Sequence, residues 1–210
     1  MSCTKACLRL YAVTPDGWVA EPEKLLAAVR KALQGGVTFV QLREKTLESE
    51  KLITAAGQLK TLCHEFGVPL VLNDRLKEAL ASDVDGVHLG QGDMPAAEAR
   101  RRLGPDKILG ISAQTVAQAL QAERDGADYL GVGAVFPTAT KTDAVDVSHE
   151  TLRAICQAVK IPVIAIGGIT TENQHTLATT GIVGVAVVSA IFCQNDIQAA
   201  AAAFKRTLDG

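Results

Sequence analysis

Short runs of apolar residues, many of them β-branched, recur along the whole chain at nearly regular intervals. Each run is four to seven residues long, which is typical of a buried strand. The eight runs are Leu8–Val13, Val37–Arg43, Pro69–Asn73, Gly86–Leu89, Ile108–Ser112, Tyr129–Val132, Pro162–Ile166 and Gly184–Val188.

The segments between these runs have the composition and spacing of amphipathic helices. They are Glu23–Gln34, Ser49–Phe66, Arg75–Ser82, Ala96–Leu103, Val116–Asp125, Ser148–Val159, Glu172–Thr180 and Ile197–Leu208. Strands that alternate with helices form parallel sheets, because a parallel connection needs a long crossover. Eight units of roughly 26 residues predict an α/β fold, a single (β/α)8 TIM barrel in one domain spanning residues 1–210. A doubly wound open sheet is the structural alternative, but it fits eight evenly sized units less well.

Composition narrows the function classes. The net charge of −2 gives no basic excess, so neither a nucleic acid nor a membrane surface is expected as a partner. Residues 173–195 lack charged side chains, but their apolar part is too short for a membrane span. Five cysteines, an odd number without a Cys-x-x-Cys pair, favour a reducing compartment and a cytoplasmic protein. The oligomeric state stays open, a homodimer included.

A barrel of this class places its active site in the loops after the strands, so polar residues there are candidates for function. After the second strand, Gln41, Arg43 and Lys45 share one face, whereas Leu42 and Glu44 take the other. Inward polar groups are costly unless they are paired, so we expect the first set to hold a ligand. The alternative is a solvated charge cluster.

Two acidic residues follow neighbouring strands. Asp74 comes after the third strand and Asp93 shortly after the fourth. A pair of hard oxygen ligands suits Mg²⁺, which usually completes its coordination with water and substrate phosphate. Aspartate is equally favoured as a helix N-cap, and the spacing alone leaves both interpretations open. A lone histidine such as His88 is more often a packed core group than a ligand.

The loops after the last three strands have the composition of a phosphate site. The loop after the sixth strand contains Thr138, Thr140 and Lys141, and the seventh strand ends at Gly167-Gly168. Loops after strands seven and eight commonly bind phosphate through backbone amides. The sequence thus predicts one monophosphate pocket beside a separate corner suited to a Mg²⁺-bound diphosphate.

These loops, taken together and in this order, closely resemble the thiamine-phosphate synthase family over nearly the whole chain. The motifs are QLREK at 41–45, ND at 73–74, HLGQGDM at 88–94, GISAQT at 110–115, PTATK at 137–141, AIGGI at 165–169 and VVSAI at 187–191. Each is weak alone, but the combination of one motif per strand end is specific.

The resemblance implies a transferase of thiamine biosynthesis with two small-molecule substrates. The diphosphate of 4-amino-5-hydroxymethyl-2-methylpyrimidine is displaced by the ring nitrogen of thiazole phosphate, which gives thiamine phosphate and pyrophosphate through a dissociative, carbocation-like step. By motif position, the pyrimidine diphosphate would contact Gln41, Leu42, Arg43, Glu44, Lys45, Asn73, Ser112 and Lys141. The thiazole phosphate would contact Thr138, Ala139, Thr140, Gly168, Val188 and Ser189. Asp74 and Asp93 would bind Mg²⁺, and the catalytic set would be Arg43, Lys45, Ser112 and Lys141.

Two positions depart from the family pattern, and other functions stay open. Gln114 stands where the family often has histidine, and Val188 where isoleucine is frequent. A thiazole tautomerase of the same superfamily is the nearest alternative, but it tends to lack the second acid and the Thr-x-Thr-Lys loop. A sugar-phosphate isomerase would not need both acids, and a non-catalytic binding protein would show no turnover.

Overall fold

Eight parallel strands close into a barrel in the computed structural model, which describes residues 3–138 and 145–209. The strands follow one another around the barrel in chain order, and the last pairs with the first. They are β1 Leu10–Val13, β2 Phe39–Leu42, β3 Leu70–Asn73, β4 Gly86–Leu89, β5 Ile108–Ala113, β6 Tyr129–Val132, β7 Val163–Ile166 and β8 Gly184–Val187. The predicted (β/α)8 barrel is confirmed, although several strands are one to three residues shorter than their apolar runs.

Helices surround the barrel within the described part of the chain. They are α1 Pro22–Gln34, α2 Ser49–Glu65, α3 Leu76–Ala81, α4 Ala96–Leu103, α5 Val116–Arg124, α6 His149–Ala158, α7 Ser189–Phe192 and α8 Ile197–Asp209. Two short 3₁₀ helices, Trp18–Ala20 and Gln174–Leu177, lie after β1 and after β7. None of these helices is long and apolar enough to cross a membrane.

The predicted helix Glu172–Thr180 is wrong, because its centre forms only the 3₁₀ turn. Side chains of this threonine-rich segment bond to nearby backbone and so compete with helical hydrogen bonds. The Asn173 side chain in this loop accepts the Thr170 N–H at 2.8 Å. The Thr176 hydroxyl in turn donates to the Asn173 carbonyl at 2.9 Å.

Alternation along the strands produces two separate apolar cores. Outward residues such as Leu42 and Val87 pack with the helices in a large outer core. Inward residues form a smaller core inside the barrel, which contains Tyr11, Phe39 and Tyr129. Because side chains alternate with a period of two, every strand except β4 contributes apolar residues to both cores, and the strands are almost entirely buried.

Glycines make the inner core possible. A Cβ on Gly110 would lie 2.2 Å from Tyr129 Cζ and 2.5 Å from His88 Nδ1, so the absent side chain leaves room for both rings. At the base of the barrel, a Cβ on Gly86 would lie 2.0 Å from the Ile108 carbonyl oxygen on the next strand. The atom that the Gly86 Cβ would meet belongs to the backbone, so no change of side-chain rotamer can relieve that clash.

Carboxylates at the strand starts fasten neighbouring strands to each other. The Asp85 carboxylate accepts the Leu70 N–H at 2.8 Å and also faces His64 Nε2 at 2.9 Å. Asp128 accepts the Leu109 N–H at 2.7 Å. These acids lie at the end of the barrel opposite the strand C-termini, so we assign them a structural role.

Gly86→Ala should destabilise the protein by at least about 2 kcal/mol, since the added methyl must displace the backbone of β5. Gly57→Ala is the matched control, because Gly57 lies within α2 and its Cβ would meet nothing within 4 Å. That change should stabilise by about 0.5–1 kcal/mol through helix propensity. Urea denaturation of both variants checks the pair, and equal midpoints would contradict this account of Gly86.

Candidate active site

A cavity of about 660 Å³ opens at the C-terminal ends of the strands. Its walls come from almost every strand, because inward residues near the strand ends all face the same space. Of the residues predicted from sequence, it is lined by Gln41, Arg43, Asn73, Ser112, Thr138, Gly168, Val188 and Ser189. The barrel therefore brings together residues that are far apart in the sequence. Gln41 and Ser189, for example, are separated by 148 positions.

Five polar side chains, which we call the polar chain, cross the floor of this cavity. Gln41 Nε2 donates to the Tyr11 hydroxyl at 2.6 Å, and that hydroxyl lies 2.8 Å from the hydroxyl of Tyr129. The Tyr129 hydroxyl contacts His88 Nδ1 at 3.0 Å. His88 Nε2 contacts Ser112 Oγ, also at 3.0 Å. The polar chain thus fixes the orientation of Gln41 at one end and Ser112 at the other.

The two tyrosines serve as hydrogen-bonding groups and not as bases. Burial raises the pKa of both Tyr11 and Tyr129 above the ordinary value for tyrosine. Both hydroxyls therefore keep their protons at neutral pH. The floor of the cavity is polar, with its hydroxyl groups uncharged.

The loop after β1 holds the basic residues after β2 in place. Arg43 forms an ion pair with Asp16 at 3.2 Å, and its side chain is only 16% exposed. The backbone N–H of Lys45 donates to the same carboxylate at 3.1 Å. The Glu44 side chain accepts the Gly17 N–H at 2.9 Å. These contacts aim the Arg43 guanidinium along the cavity wall.

The carboxylates of Asp74 and Asp93 converge beside the cavity. Burial, and then the charge of Asp93, raise the pKa of Asp74 to about 6, with the Lys45 charge opposing that shift. Asp74 has a left-handed backbone with φ of 62°, and its N–H donates to the His88 carbonyl at 2.8 Å. Asp93 Oδ2 accepts the Gly90 N–H at 2.7 Å. Two carboxylates held this close repel each other, so the pair is suited to a bound cation.

The N-cap interpretation of these acids is wrong. The N-cap positions of α3 and α4 are Arg75 and Pro95, and neither Asp74 nor Asp93 caps a helix. Within residues 3–138 and 145–209, no cluster of three or more His, Cys, Asp and Glu side chains could hold a metal. Two carboxylates with room for water and phosphate fit Mg²⁺, which seldom relies on an all-protein cage.

The opposite side of the cavity is built mainly from backbone. Gly168 has φ of 63°, and a Cβ there would lie 2.4 Å from the Pro137 carbonyl oxygen. The loops after β6 and β7 are also joined by the Phe136 N–H, which donates to the Gly167 carbonyl at 3.1 Å. The short helix α7 begins at Ser189, and Val188 and Ser189 both line this side of the cavity. Backbone amides in the loops after strands seven and eight of such barrels are suited to bind a phosphate group.

Some of the residues predicted to contact substrate do not line the cavity. The Leu42 side chain packs in the outer core, and Glu44 bonds to backbone amides, so neither side chain lines the cavity. Any contact from these two residues with substrate would involve their backbone. Lys45 is exposed on the Asp74 side of the mouth. Ala139, Thr140 and Lys141 lie outside the described residues.

Sequence reasoning missed most of the polar chain. The sequence pattern predicts Tyr11 and Tyr129 only as parts of strands, and it indicates a core group for His88. His88 is indeed buried, yet it also lines the cavity. The available signal was register, since all three occupy inward positions of their strands. Gln114, whose departure from the family pattern was noted, lines the cavity as well.

Comparisons with known proteins agree on one family. The family model described as thiamine monophosphate synthase matches residues 10–191. The thiamine-phosphate synthase of Ruminiclostridium cellulolyticum is 52% identical over 192 residues, which cover 91% of each chain. Thiamine-phosphate synthase 2 of Streptococcus pneumoniae is 48% identical over 97% of each chain.

A solved structure supports the same relationship. Thiamine phosphate pyrophosphorylase from Pyrococcus furiosus superimposes with a TM-score of 0.87 at 36% identity, covering 98% of this chain and 97% of that one. The chain therefore belongs to the thiamine monophosphate synthase family.

Proposed function

We propose that the protein is a transferase that joins 4-amino-5-hydroxymethyl-2-methylpyrimidine diphosphate to thiazole phosphate, releasing pyrophosphate and thiamine phosphate. The observation that carries the proposal is the division of the cavity into two chemically different ends. Converging carboxylates and basic side chains lie at one end, and glycine-rich backbone lies at the other. A reaction between a diphosphate and a monophosphate needs one site of each kind.

The acidic and basic end suits the diphosphate. Asp74 and Asp93 would hold Mg²⁺, the charge of Lys45 acts on Asp74, and Arg43 lines the cavity. A Mg²⁺ ion bound there would neutralise charge on the diphosphate oxygens. Arg43 can bind phosphate oxygens through two N–H groups at once, while Lys45 offers a mobile point charge. Lys141, named from the family motif, would add a third cation as pyrophosphate leaves.

The polar chain suits the aminopyrimidine ring. Because the Gln41 amide donates to Tyr11, its oxygen is the end available to accept the exocyclic amino group of the ring. At the other end, Ser112 Oγ is held by His88 and can donate or accept beside the reacting carbon. Neither arrangement brings a charged base to the ring.

The backbone-rich end suits the thiazole phosphate. Amides around Gly168, Val188 and Ser189, together with the Thr138 hydroxyl, would bind its phosphate oxygens. With the two substrates bound in this way, the thiazole nitrogen would face the pyrimidine methylene carbon across the cavity. The nitrogen is neutral and carries no proton, so its attack needs no general base.

Departure of pyrophosphate is then the step that the protein must assist. The cationic groups lie where negative charge grows on the leaving group, and that interaction strengthens in the transition state. Electron density from the aminopyrimidine can stabilise positive charge on the carbon that is left behind. We therefore infer a dissociative step with carbocation character.

The thiazole tautomerase alternative is less well supported. An isomerase acting on one thiazole substrate would have no use for a diphosphate corner with both Asp74 and Asp93. Its reaction also moves a proton and needs an acid–base group. In this chain the fifth-strand loop presents Gln114 in place of the imidazole that the tautomerase would use.

Product analysis tests the proposed function directly. With both substrates and Mg²⁺, pyrophosphate and thiamine phosphate should appear in equal amounts, and omission of either substrate should stop their formation. Coupled pyrophosphate detection and chromatography of the products measure this. Conversion of the thiazole alone into an isomer, without pyrophosphate, would establish the tautomerase instead.

Asp93→Asn should lower kcat by at least about 100-fold, because it keeps the shape of the side chain but removes one of two metal-binding charges. Excess Mg²⁺ should restore the rate only in part. The control is Asp106→Asn, which removes an exposed carboxylate outside the cavity and should leave kcat unchanged. Near-normal turnover of Asp93→Asn at low Mg²⁺ would remove Asp93 from the metal site.

Mg²⁺ affinity should weaken as the pH falls through about 6, because protons compete with the metal for Asp74. Above that pH the affinity should level off, and well below it the loss should approach about tenfold per pH unit for one proton displaced. Calorimetric titration of Mg²⁺ with pyrophosphate measures this between pH 5 and pH 8.

Asp93→Asn provides the control for that titration. Pyrophosphate also titrates near this pH, but its contribution is common to both proteins. Without the neighbouring negative charge the pKa of Asp74 falls, so the profile of the variant should shift to lower pH. Superimposable profiles would mean that the Asp74 carboxylate does not set the pH dependence.

A further inference from the structure

One arginine that does not line the cavity ties together the connections after β2 and β3. Asp74 and Arg75 form the whole connection between β3 and α3. The Arg75 guanidinium donates from Nη1 to the Leu47 carbonyl at 3.0 Å and from Nη2 to Ser49 Oγ at 3.2 Å. Leu47 lies in the connection after β2, and Ser49 is the first residue of α2. Arg75 therefore joins two loops that both carry residues proposed to bind the diphosphate.

A buried carboxylate holds the Arg75 guanidinium in this position. Glu78 Oε1 accepts from Arg75 Nη2 at 2.5 Å and from the Ser49 hydroxyl at 2.7 Å, so the three side chains form a closed triangle. The side chains of Arg75 and Glu78 are only 23% and 9% exposed. The hydrogen bond from Arg75 lowers the pKa of Glu78 to about 2 against the opposing effect of burial, so this carboxylate is charged at neutral pH. We call Arg75, Glu78 and Ser49 the arginine clamp.

The arginine clamp fixes the backbone on one side of Lys45. On the other side the Lys45 N–H donates to Asp16 at 3.1 Å, and two residues further on the Leu47 carbonyl is held by Arg75. Lys45 itself is exposed, and its charge acts on Asp74, the residue before Arg75. A lysine side chain is a flexible point charge, so its reach depends on where its backbone is anchored.

We propose that Arg75 is a positioning residue of the diphosphate-binding corner, which anchors the backbone beside Lys45 and so keeps the Lys45 charge next to Asp74. This role rests on the proposed function, since it concerns the site assigned there to the diphosphate. Arg75 acts through the loop and does not contact substrate. Arginine suits the task because its planar guanidinium presents several donors in a fixed fork, whereas lysine offers a single point charge.

Arg75→Lys tests the proposal, because it keeps the positive charge but not the fork of donors. Calorimetric titration with pyrophosphate in the presence of Mg²⁺ should show binding at least about tenfold weaker than in the unmodified chain. The KM for the pyrimidine diphosphate should rise by a similar factor, whereas the KM for thiazole phosphate should change by less than about twofold. Equal pyrophosphate affinities of Arg75→Lys and the unmodified chain would overturn the proposal, because a role through charge alone survives in lysine.

Arg100→Lys is the matched control for general destabilisation. Arg100 is 20% exposed, and it likewise donates to backbone carbonyls, those of Gly104 and Gly126, and to the Asp128 carboxylate at 2.6 Å. These contacts lie at the strand starts, away from the cavity. Arg100→Lys should lower the urea midpoint as Arg75→Lys does and leave pyrophosphate binding unchanged. An equal loss of pyrophosphate affinity in both variants would overturn the positioning role.

A double-mutant cycle identifies the group through which Arg75 acts. Lys45→Ala alone should weaken pyrophosphate binding. Adding Arg75→Lys to that variant should weaken binding by less than about threefold more, because no Lys45 charge is left to position. Additive effects of the two substitutions on pyrophosphate affinity would contradict a role through Lys45.

Ser49→Ala keeps the proposal testable if Arg75→Lys does not fold, since it removes one contact of the arginine clamp and leaves both charges. It should weaken pyrophosphate binding by about two- to fivefold, and an unchanged affinity would overturn the proposal. The unmodified chain distinguishes failure of this role from failure of the proposed function. If it binds neither pyrophosphate nor the pyrimidine diphosphate, the proposed function fails and this role with it. If it binds both and the variants match it, only the role of Arg75 fails.

Discussion

The hydrogen bonds from Gln41 through Tyr11, Tyr129 and His88 to Ser112 are the constraint on which the interior of this barrel depends. Each member comes from a different strand, and all of them except Ser112 are buried. A buried polar group left unpaired costs about 1–3 kcal/mol, so the five must be satisfied together. The chain of bonds therefore ties the register of the barrel to the geometry of its cavity.

Space for these groups comes from residues that have no side chain. Gly110 leaves room for Tyr129 and His88, and a Cβ on Gly131 would also come within 3.0 Å of the imidazole. Large and small residues thus complement each other across neighbouring strands, as close packing requires. Among the residues that the structure describes, the charged side chains at the cavity lie in one corner, around Arg43 and Asp74. The proposed reaction needs charged groups only at the end of the cavity where the diphosphate leaves, and this arrangement supplies them there.

The barrel could be predicted because the sequence pattern that indicates it is periodic and is repeated along the whole chain. Eight apolar runs separated by helix-length segments leave few topologies, and parallel pairing in chain order follows from the crossover lengths. The segment Glu172–Thr180 failed because its composition resembles a helix, whereas Asn173 and its threonines bond to local backbone. Residue composition does not show which of two local hydrogen-bonding patterns is lower in energy, since the difference depends on how β7 and β8 are spaced.

The sequence by itself determined the fold, the family resemblance and the set of loops that carry chemistry, because each of these is encoded in local runs and motifs. It also identified Asp74 and Asp93 but left them divided between helix caps and metal ligands. Only the tertiary structure excluded the helix caps, because Arg75 and Pro95 occupy the N-cap positions, and it placed the two carboxylates together. It likewise joined Tyr11 to Tyr129. Distances between side chains on different strands or across a turn depend on closure of the whole barrel, and a linear pattern carries no measure of them.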